Sequence, residues 1–205
     1  MAVNIYNLIR MKNGFIILMA LMLMTSCSSP QGDTANQPQA SAQAPAVKDY
    51  QKLDIPLKKD KFIQINIVVG DIYQAAKAWA ALLDIPVPEV TTNRLRSSKE
   101  FPYTYRGEDS ECDLLVCNID MGSWVLELHQ ADAKDSSFRE FYDKHGNGVH
   151  HLGFEVGADR DRVIKELSDM GFNTDRTFGA YTGSSWTIVD SEDVLGVNLN
   201  IKPQR

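Results

Sequence analysis

Four polar side chains that can hold a metal ion or move a proton occupy matching positions in two repeats of the sequence. A strand-like segment followed by a helix-like run contains Gln64, and the same pattern recurs with His151 in the equivalent place. Later in each repeat, a second strand-like segment aligns Glu127 with Asn200. Because side chains alternate across a strand, all four lie opposite the apolar residues of their strands. The repeat therefore predicts one concave surface that collects two amides, a carboxylate and an imidazole.

The elements that must position these residues follow from the spacing of apolar side chains. Half-buried strands alternate apolar and polar residues, whereas amphipathic helices repeat every three to four residues. These patterns predict strands over 64–70, 113–119, 123–129, 148–156, 186–190 and 197–202, with helices over 71–83, 137–145 and 159–170. With one further strand between the helix and the last two strands of each half, the order is β-α-β-β-β, a connecting helix, then β-α-β-β-β. Two equivalent halves indicate a duplicated module, since a solenoid needs three or more repeats.

The composition is that of an acidic globular protein. The chain has 205 residues, a formal charge of −6 and 43% hydrophobic residues. An acidic chain without a basic stripe is not expected to bind nucleic acid. Its three cysteines do not form a disulfide framework, because Cys112 and Cys117 fall on opposite faces of one predicted strand.

The first 27 residues have the layout of a secretory signal. Lys12 precedes an apolar core over 15–24, and Thr25, Ser26 and Cys27 follow it. The core is shorter than the roughly 20 residues that a helix needs to cross a bilayer. The ending resembles the lipobox of bacterial lipoproteins, which implies that Cys27 is lipidated and anchors the chain to a membrane of the cell envelope, with its domain outside the cytoplasm. The alternative is a plain secretory signal in which Cys27 has no role.

A polar segment separates this signal from the periodic part of the chain. Residues 28–48 are mainly Ser, Gln, Ala, Pro and Asn without apolar periodicity, so they cannot bury enough surface to offset the entropy of ordering. We therefore predict a flexible tether over residues 28–58 and a folded domain over residues 59–205.

Residues 91–105 allow two interpretations. They contain Arg94, Arg96 and Lys99 interleaved with aromatic residues. The segment is either a substrate-facing element that holds an anionic group or a solvated loop that leads into a strand. The second interpretation is the more common for such composition.

Three longer motifs resemble the vicinal oxygen chelate superfamily. They are the strand GVHHLGFEV at 148–156, the strand VLEL at 125–128 and the ending VDSEDVLGV at 189–197. The superfamily includes glyoxalase I, methylmalonyl-CoA epimerase, extradiol dioxygenases and bleomycin-resistance proteins, and the resemblance covers residues 62–203. It implies an α+β fold in which two βαβββ modules form a U-shaped, partly open barrel.

The resemblance also implies a ligand set. Family members take metal ligands from the first and last strands of each module, which here carry Gln64, Glu127, His151 and Asn200. Glyoxalases and epimerases have Glu at the fourth position, so Asn200 is a departure that leaves Glu127 as the candidate catalytic base. Oxygen ligands with one imidazole suit a divalent ion such as Zn, Ni, Co, Mn or Mg.

Two functions are compatible with this set. The first is a metal-dependent lyase or isomerase that removes a proton next to a carbonyl, with the metal stabilising the enediolate. The second is a non-catalytic protein that binds or sequesters a small molecule in a degenerate metal site. Glu127 and His151 favour the first function. Asn200 favours the second, and so does the expected location outside the cytoplasm, because that compartment normally lacks cytosolic thiol and CoA substrates. The expected partners are a small molecule and a membrane, and a homodimer is left open.

The other histidines have different expected positions. His129 lies two residues after Glu127 on the same face, so we expect it to line the concave surface. His150 points away from His151 and is assigned a structural role. His145 is placed at the end of a helix, where a cation is favoured.

Overall fold

The computed structural model describes residues 49–203, so the predicted signal and Cys27 lie outside the described part. The first module contains β1 (Phe62–Val68), α1 (Ile72–Leu83), β2 (Thr91–Arg96), β3 (Tyr103–Tyr105), β4 (Glu108–Asp109), β5 (Glu111–Asp120) and β6 (Val125–Ala131). Helix α2 (Ser137–His145) connects it to the second module. None of the helices in residues 49–203 has the length and apolar character needed to cross a membrane.

The second module repeats the order of the first. It contains β7 (Gly148–Glu155), α3 (Arg160–Asp169), β8 (Asn173–Tyr181), β9 (Ser184–Asp190), α4 (Glu192–Leu195) and β10 (Asn198–Lys202). All ten strands form one curled, open sheet in the order β2-β5-β6-β1-β7-β10-β9-β8-β3-β4. The α+β fold of two βαβββ modules in a partly open barrel is thus confirmed.

The centre of the sheet has the symmetry that the sequence repeat predicts. The first strands of the two modules, β1 and β7, pair antiparallel, while β6 runs parallel to β1 and β10 runs parallel to β7. These four neighbouring strands carry Gln64, Glu127, His151 and Asn200. The duplicated topology therefore brings residues far apart in sequence onto adjacent strands.

Helices α1 and α3 cover the outer side of the sheet. Asp71 caps α1 by accepting a hydrogen bond from the Gln74 amide, and the buried face of the helix packs through Ile72 and Ala76. In the second module, α3 packs through Val163 and Leu167 against β9 and β10. Since the helices take the outer side, the inner side of the curl remains for a cavity.

Cys112 and Cys117 lie on opposite sides of β5, as predicted. Cys112 is buried inside the curl with Leu114, whereas Cys117 is buried in the outer core beneath α1. Both thiols are free.

The interpretation of residues 91–105 as a solvated loop that leads into a strand is wrong for most of the segment, because only residues 97–102 form a loop before β3. The segment forms β2, which pairs with β5, and β3, which pairs with β8 of the second module. Strands β3 and β4 are an insertion in the first module, and Tyr103 faces Gly179 across the two modules. The pattern was missed because β3 is three residues long and its partner is distant in sequence.

The beginning of the described chain also differs from the prediction of a tether up to residue 58. Leu53, Ile55 and Leu57 pack against the core of the second module. The Tyr50 ring stacks on Phe172 with centroids 5.8 Å apart. The alternating apolar residues are a short strand-like signal that precedes the first predicted strand.

Candidate functional site

A cavity of about 640 Å³ occupies the concave side of the sheet. Gln64, Glu127, His151 and Asn200 all line it, so the structure brings the four predicted residues together. We refer to the polar end of this cavity as the floor, which consists of Gln64, Glu127, His129, His151, Asn200 and Lys202. His129 thus lies where the sequence places it.

Gln64 connects both modules across the floor. Its Nε2 donates to Glu127 Oε2 at 2.7 Å and lies 2.8 Å from His151 Nε2. Gly153 makes room for this arrangement, because a Cβ atom there would lie 2.7 Å from Gln64 Cγ. The glycine in β7 therefore lets the Gln64 side chain lie across the neighbouring strand.

The hydrogen bonds of two adjacent histidines define which ring nitrogens carry protons. His150 Nε2 lies 3.2 Å from the Ser137 carbonyl oxygen, which can only accept, so this nitrogen carries the hydrogen. His150 Nδ1 is then the acceptor for His151 Nδ1–H at 2.8 Å. His151 Nε2 is left with a lone pair that accepts from the amide groups of Gln64 and Asn200. His150 is structural, as predicted, and it orients His151.

These histidines are neutral at physiological pH. Burial is the main cause that lowers the pKa of His150 to about 3, and the positive charge of Arg176 is the next. Burial and the neighbouring histidines lower the pKa of His151 well below its usual value, and burial also lowers the pKa of His129. His151 therefore presents an uncharged acceptor to the cavity.

Lys202 is the floor residue that the sequence analysis missed. Its Nζ donates to Gln64 Oε1 at 2.7 Å. Lys202 follows Asn200 by two residues on the same strand, so strand parity alone places it on the concave face. It is also the counterpart of His129 in the repeat, which is the signal that could have revealed it.

The donor set does not fit a tightly held divalent metal ion. Gln64 gives its oxygen to the Lys202 ammonium and turns its NH₂ group toward His151. An ammonium beside the donors opposes a second cation, and Glu127 is the only carboxylate in the floor. Within residues 49–203, no group of three or more His, Cys, Asp or Glu side chains has an arrangement that could hold a metal ion.

One feature of the floor favours a further polar occupant. Asn200 Oδ1 is buried and has no hydrogen-bond partner among the described residues. A buried acceptor of this kind is stabilised by a hydrogen-bond donor from a ligand or from water, or by coordination to a cation.

The model of the Glyoxalase/Bleomycin resistance protein/Dioxygenase superfamily matches residues 63–188, which is more than half of the chain. The chain belongs to this superfamily. The resemblance found in the sequence is confirmed at the level of the superfamily. No curated protein matches the chain in sequence.

Solved structures with similarity to this superfamily member include two named proteins and one hypothetical protein. The hypothetical protein, from Bacillus halodurans, has 18% identity and a TM-score of 0.47, covering 71% of this chain and 94% of its own. Methylmalonyl-CoA epimerase from Mycobacterium tuberculosis has 16% identity and a TM-score of 0.46, covering 71% and 88%. The Streptomyces coelicolor epimerase, in complex with 2-nitronate-propionyl-CoA, has 20% identity and a TM-score of 0.43, covering 69% and 95%.

Beyond the floor, the lining of the cavity in this superfamily member includes aromatic and cationic side chains. Phe101, Tyr103 and Arg94 come from the 91–105 segment and line the cavity, as the substrate-facing interpretation expects. Phe138 from α2 and Trp186 from β9 complete an aromatic side. Sequence analysis did not select Phe138 or Trp186, because each fits the apolar pattern of its element.

Three further polar residues lie outside the lining of the cavity. Asp190 pairs with the buried Arg176 at 2.5 Å and does not line the cavity. Glu155 is likewise outside its lining. His145 ends α2, as predicted, and its Nε2 lies 2.7 Å from Glu192 Oε1.

Proposed function

We propose that this superfamily member binds a small organic anion in its cavity without a metal ion, with the Lys202 ammonium as the positive centre. The observation that carries this proposal is the contact of 2.7 Å between Lys202 Nζ and Gln64 Oε1, at the position of the predicted metal site. A side-chain cation there supplies positive charge that other members of the superfamily obtain from a metal.

The charges around the cavity support an anionic ligand. Its charged lining consists of Arg94, Arg96, Lys202 and the single carboxylate of Glu127. Arg96 is paired with Asp113 at 2.6 Å, and Arg94 and Lys202 add further positive charges to the lining. A cationic cavity in a chain of net charge −6 is a local feature that attracts anions.

A calorimetric titration tests this proposal. The chain, purified without chelator, is expected to bind small carboxylates such as benzoate and not Zn, Ni, Co, Mn or Mg. Lys202→Met should weaken carboxylate binding by at least about tenfold, because it removes the charge partner of the ligand. Lys77→Met, which removes an exposed lysine of α1, is the matched control and should change nothing.

A second candidate is a metal-dependent lyase or isomerase with Glu127 as the base. Asn200 Oδ1, buried without a partner, and the lone pair of His151 Nε2 favour it. Micromolar binding of a divalent ion by the unmodified chain, without carboxylate binding, would replace the first proposal with this one.

We also propose that Cys27 is lipidated and that the domain acts in the cell envelope while tethered to a membrane. Each buried methylene of an acyl chain contributes roughly 0.8 kcal/mol, so two or more chains hold the protein firmly. Cys27→Ala should move the protein from the membrane fraction to the soluble fraction. Retention of the variant in the membrane fraction would refute the lipid anchor.

A further inference from the structure

We propose that the anion bound at Lys202 is an aromatic acid whose ring lies against an aromatic wall made of Tyr103, Phe138 and Trp186. This inference rests on the proposed anion site and adds the chemical class of the ligand body. All three rings line the same cavity as Lys202.

The wall is continuous from the outer part of the cavity to the floor. The Trp186 ring centroid lies 6.1 Å from that of Tyr103 and 6.4 Å from that of Phe138. Phe138 in turn lies 5.0 Å from the His129 ring and 6.3 Å from the His151 ring. These separations are typical of interacting aromatic rings, so a flat ligand that reaches the floor contacts ring surfaces along its length.

The Trp186 indole lies against the neighbouring strand β8 because residue 179 of that strand is a glycine. A Cβ atom at Gly179 would lie 2.4 Å from Trp186 Cε2 and 2.5 Å from Cζ2. The indole therefore rests on the backbone of β8. A larger residue at position 179 would push the indole away from this strand.

Tyr103 contributes an apolar ring surface to the wall. Its hydroxyl lies 3.2 Å from Cys112 Sγ, inside the curl of the sheet. Burial, together with the charge of Cys112, raises the pKa of Tyr103, so the side chain stays neutral. The polar end of the ring is thus engaged within the protein.

The polar and apolar parts of the cavity are spatially separated. Lys202 and the amides lie in the floor, while the wall carries aromatic carbon. A ligand that satisfies both has one anionic end and one flat apolar body. Stacking adds roughly two- to tenfold in affinity beyond the apolar area that is buried.

Three matched probes test the inference on the full chain carrying Cys27→Ala. 2-Naphthoate has the acid and the flat ring, decahydro-2-naphthoate has the acid and a saturated body, and 2-naphthamide has the ring without the charge. We expect 2-naphthoate to bind about three- to tenfold more tightly than the saturated acid, and the amide to bind most weakly.

Fluorescence reports where the probe binds. Trp79 and Trp124 pack in the outer core with α1, so Trp186 is the tryptophan in the cavity. 2-Naphthoate should quench part of the emission, and Trp186→Phe should remove that quenching while calorimetry still detects binding. Trp186→Leu should lower the affinity for 2-naphthoate about three- to tenfold and leave the saturated acid unchanged. Tyr73→Leu, at an exposed aromatic residue of α1, is the control.

The outcomes separate the two proposals. If both acids bind equally and Lys202→Met abolishes both, the anion site stands and the aromatic wall is overturned. If neither acid binds, both proposals are overturned. The comparison of the three probes uses the aromatic wall unaltered, so a poorly folded Trp186 variant does not remove the test.

Discussion

The last strands of the two modules carry opposite charges on the concave face of the sheet. In β6, the concave face carries the carboxylate of Glu127 and the neutral imidazole of His129. In β10, the equivalent positions carry the neutral amide of Asn200 and the ammonium of Lys202. The two strands are equivalent in the repeat, but β6 carries the negative charge of the floor and β10 carries the positive charge.

This difference determines whether the floor needs a cation from solution to balance its charge. Carboxylates from both modules would have to be balanced by a cation, because like charges at short range repel. Here the second module supplies the cation itself, and Gln64 connects the two charges by bonding both Glu127 and Lys202. The duplicated geometry therefore supports a binding floor that is balanced without an added ion.

The largest effect is expected from the buried histidine that only the second module has. His150 occupies the place of Ile63 in the first module, and burial lowers its pKa to about 3. The unfolded chain binds a proton near pH 6.5 and the folded chain does not, so stability is complete above pH 6.5 and falls as the pH approaches 3. The loss amounts to several kcal/mol in the free energy of unfolding.

His150→Gln should reduce this dependence to the part that comes from His151 and His129, because glutamine keeps an acceptor for His151 Nδ1–H but does not titrate. Urea unfolding between pH 7 and 4 measures the slope for both proteins. Equal slopes would contradict the assignment of the acid sensitivity to His150.

The next effect comes from making β10 resemble β6. Asn200→Glu combined with Lys202→His adds a carboxylate and removes the ammonium. Since the charge of the ligating side chains governs the affinity for divalent ions, we expect this double variant to bind them roughly two orders of magnitude more tightly than the unmodified chain. Calorimetry with Zn, Ni, Co and Mn measures it, and Asn200→Gln with Lys202→His is the matched control. Similar metal affinity in both double variants would mean that the carboxylate is not what the floor lacks.

A smaller effect is expected where the first strands differ. Gly153 in β7 aligns with Asn66 in β1, and only the glycine leaves space for the Gln64 side chain. Gly153→Ala should lower the free energy of unfolding by about 1–2 kcal/mol through overpacking. Denaturant titration measures this, and adding Gln64→Ala should recover part of the loss. An additive double variant would show that the two side chains do not compete for space.

The smallest effect concerns the segment around residues 53–57, which packs against the core of the second module. Asp54 pairs with Arg162 of α3, but both side chains are more than half exposed. Asp54→Asn should therefore leave the free energy of unfolding nearly unchanged. Ile55→Ala, which removes a core contact, should lower the free energy of unfolding more than Asp54→Asn does. Thermal melts of the two variants measure the difference. A larger loss from Asp54→Asn than from Ile55→Ala would reverse this ranking.

The repeat made the central part of the site predictable. Strand alternation and the alignment of two modules placed Gln64, Glu127, His151 and Asn200 on neighbouring strands, because the period of two leaves no other face for them. Lys202 has the same strand parity, but a lysine side chain is usually expected to be exposed to solvent. Its contact with Gln64 depends on the reach of a long side chain across two strands.

The aromatic wall could not be predicted in the same way. Trp186 depends on a glycine in another strand, and Tyr103 depends on a three-residue strand that pairs across the modules. Such contacts between distant parts of the chain leave no local periodic signal. The segment 50–57 did carry a signal, since Leu53, Ile55 and Leu57 alternate, but it falls beside a long polar stretch.

The pairing of β3 with β8 has a consequence for the synthesis of the protein. Tyr103–Tyr105 emerges from the ribosome long before its partner at residues 177–179, so the first half of the chain cannot complete its hydrogen bonds alone. Until β8 is synthesised, the edge of β3 that faces away from β4 remains unpaired, and such edges are prone to aggregation. Non-local pairing also slows folding. A nascent chain halted after the first module should therefore depend on chaperones, whereas the finished chain joins its two halves through this insertion.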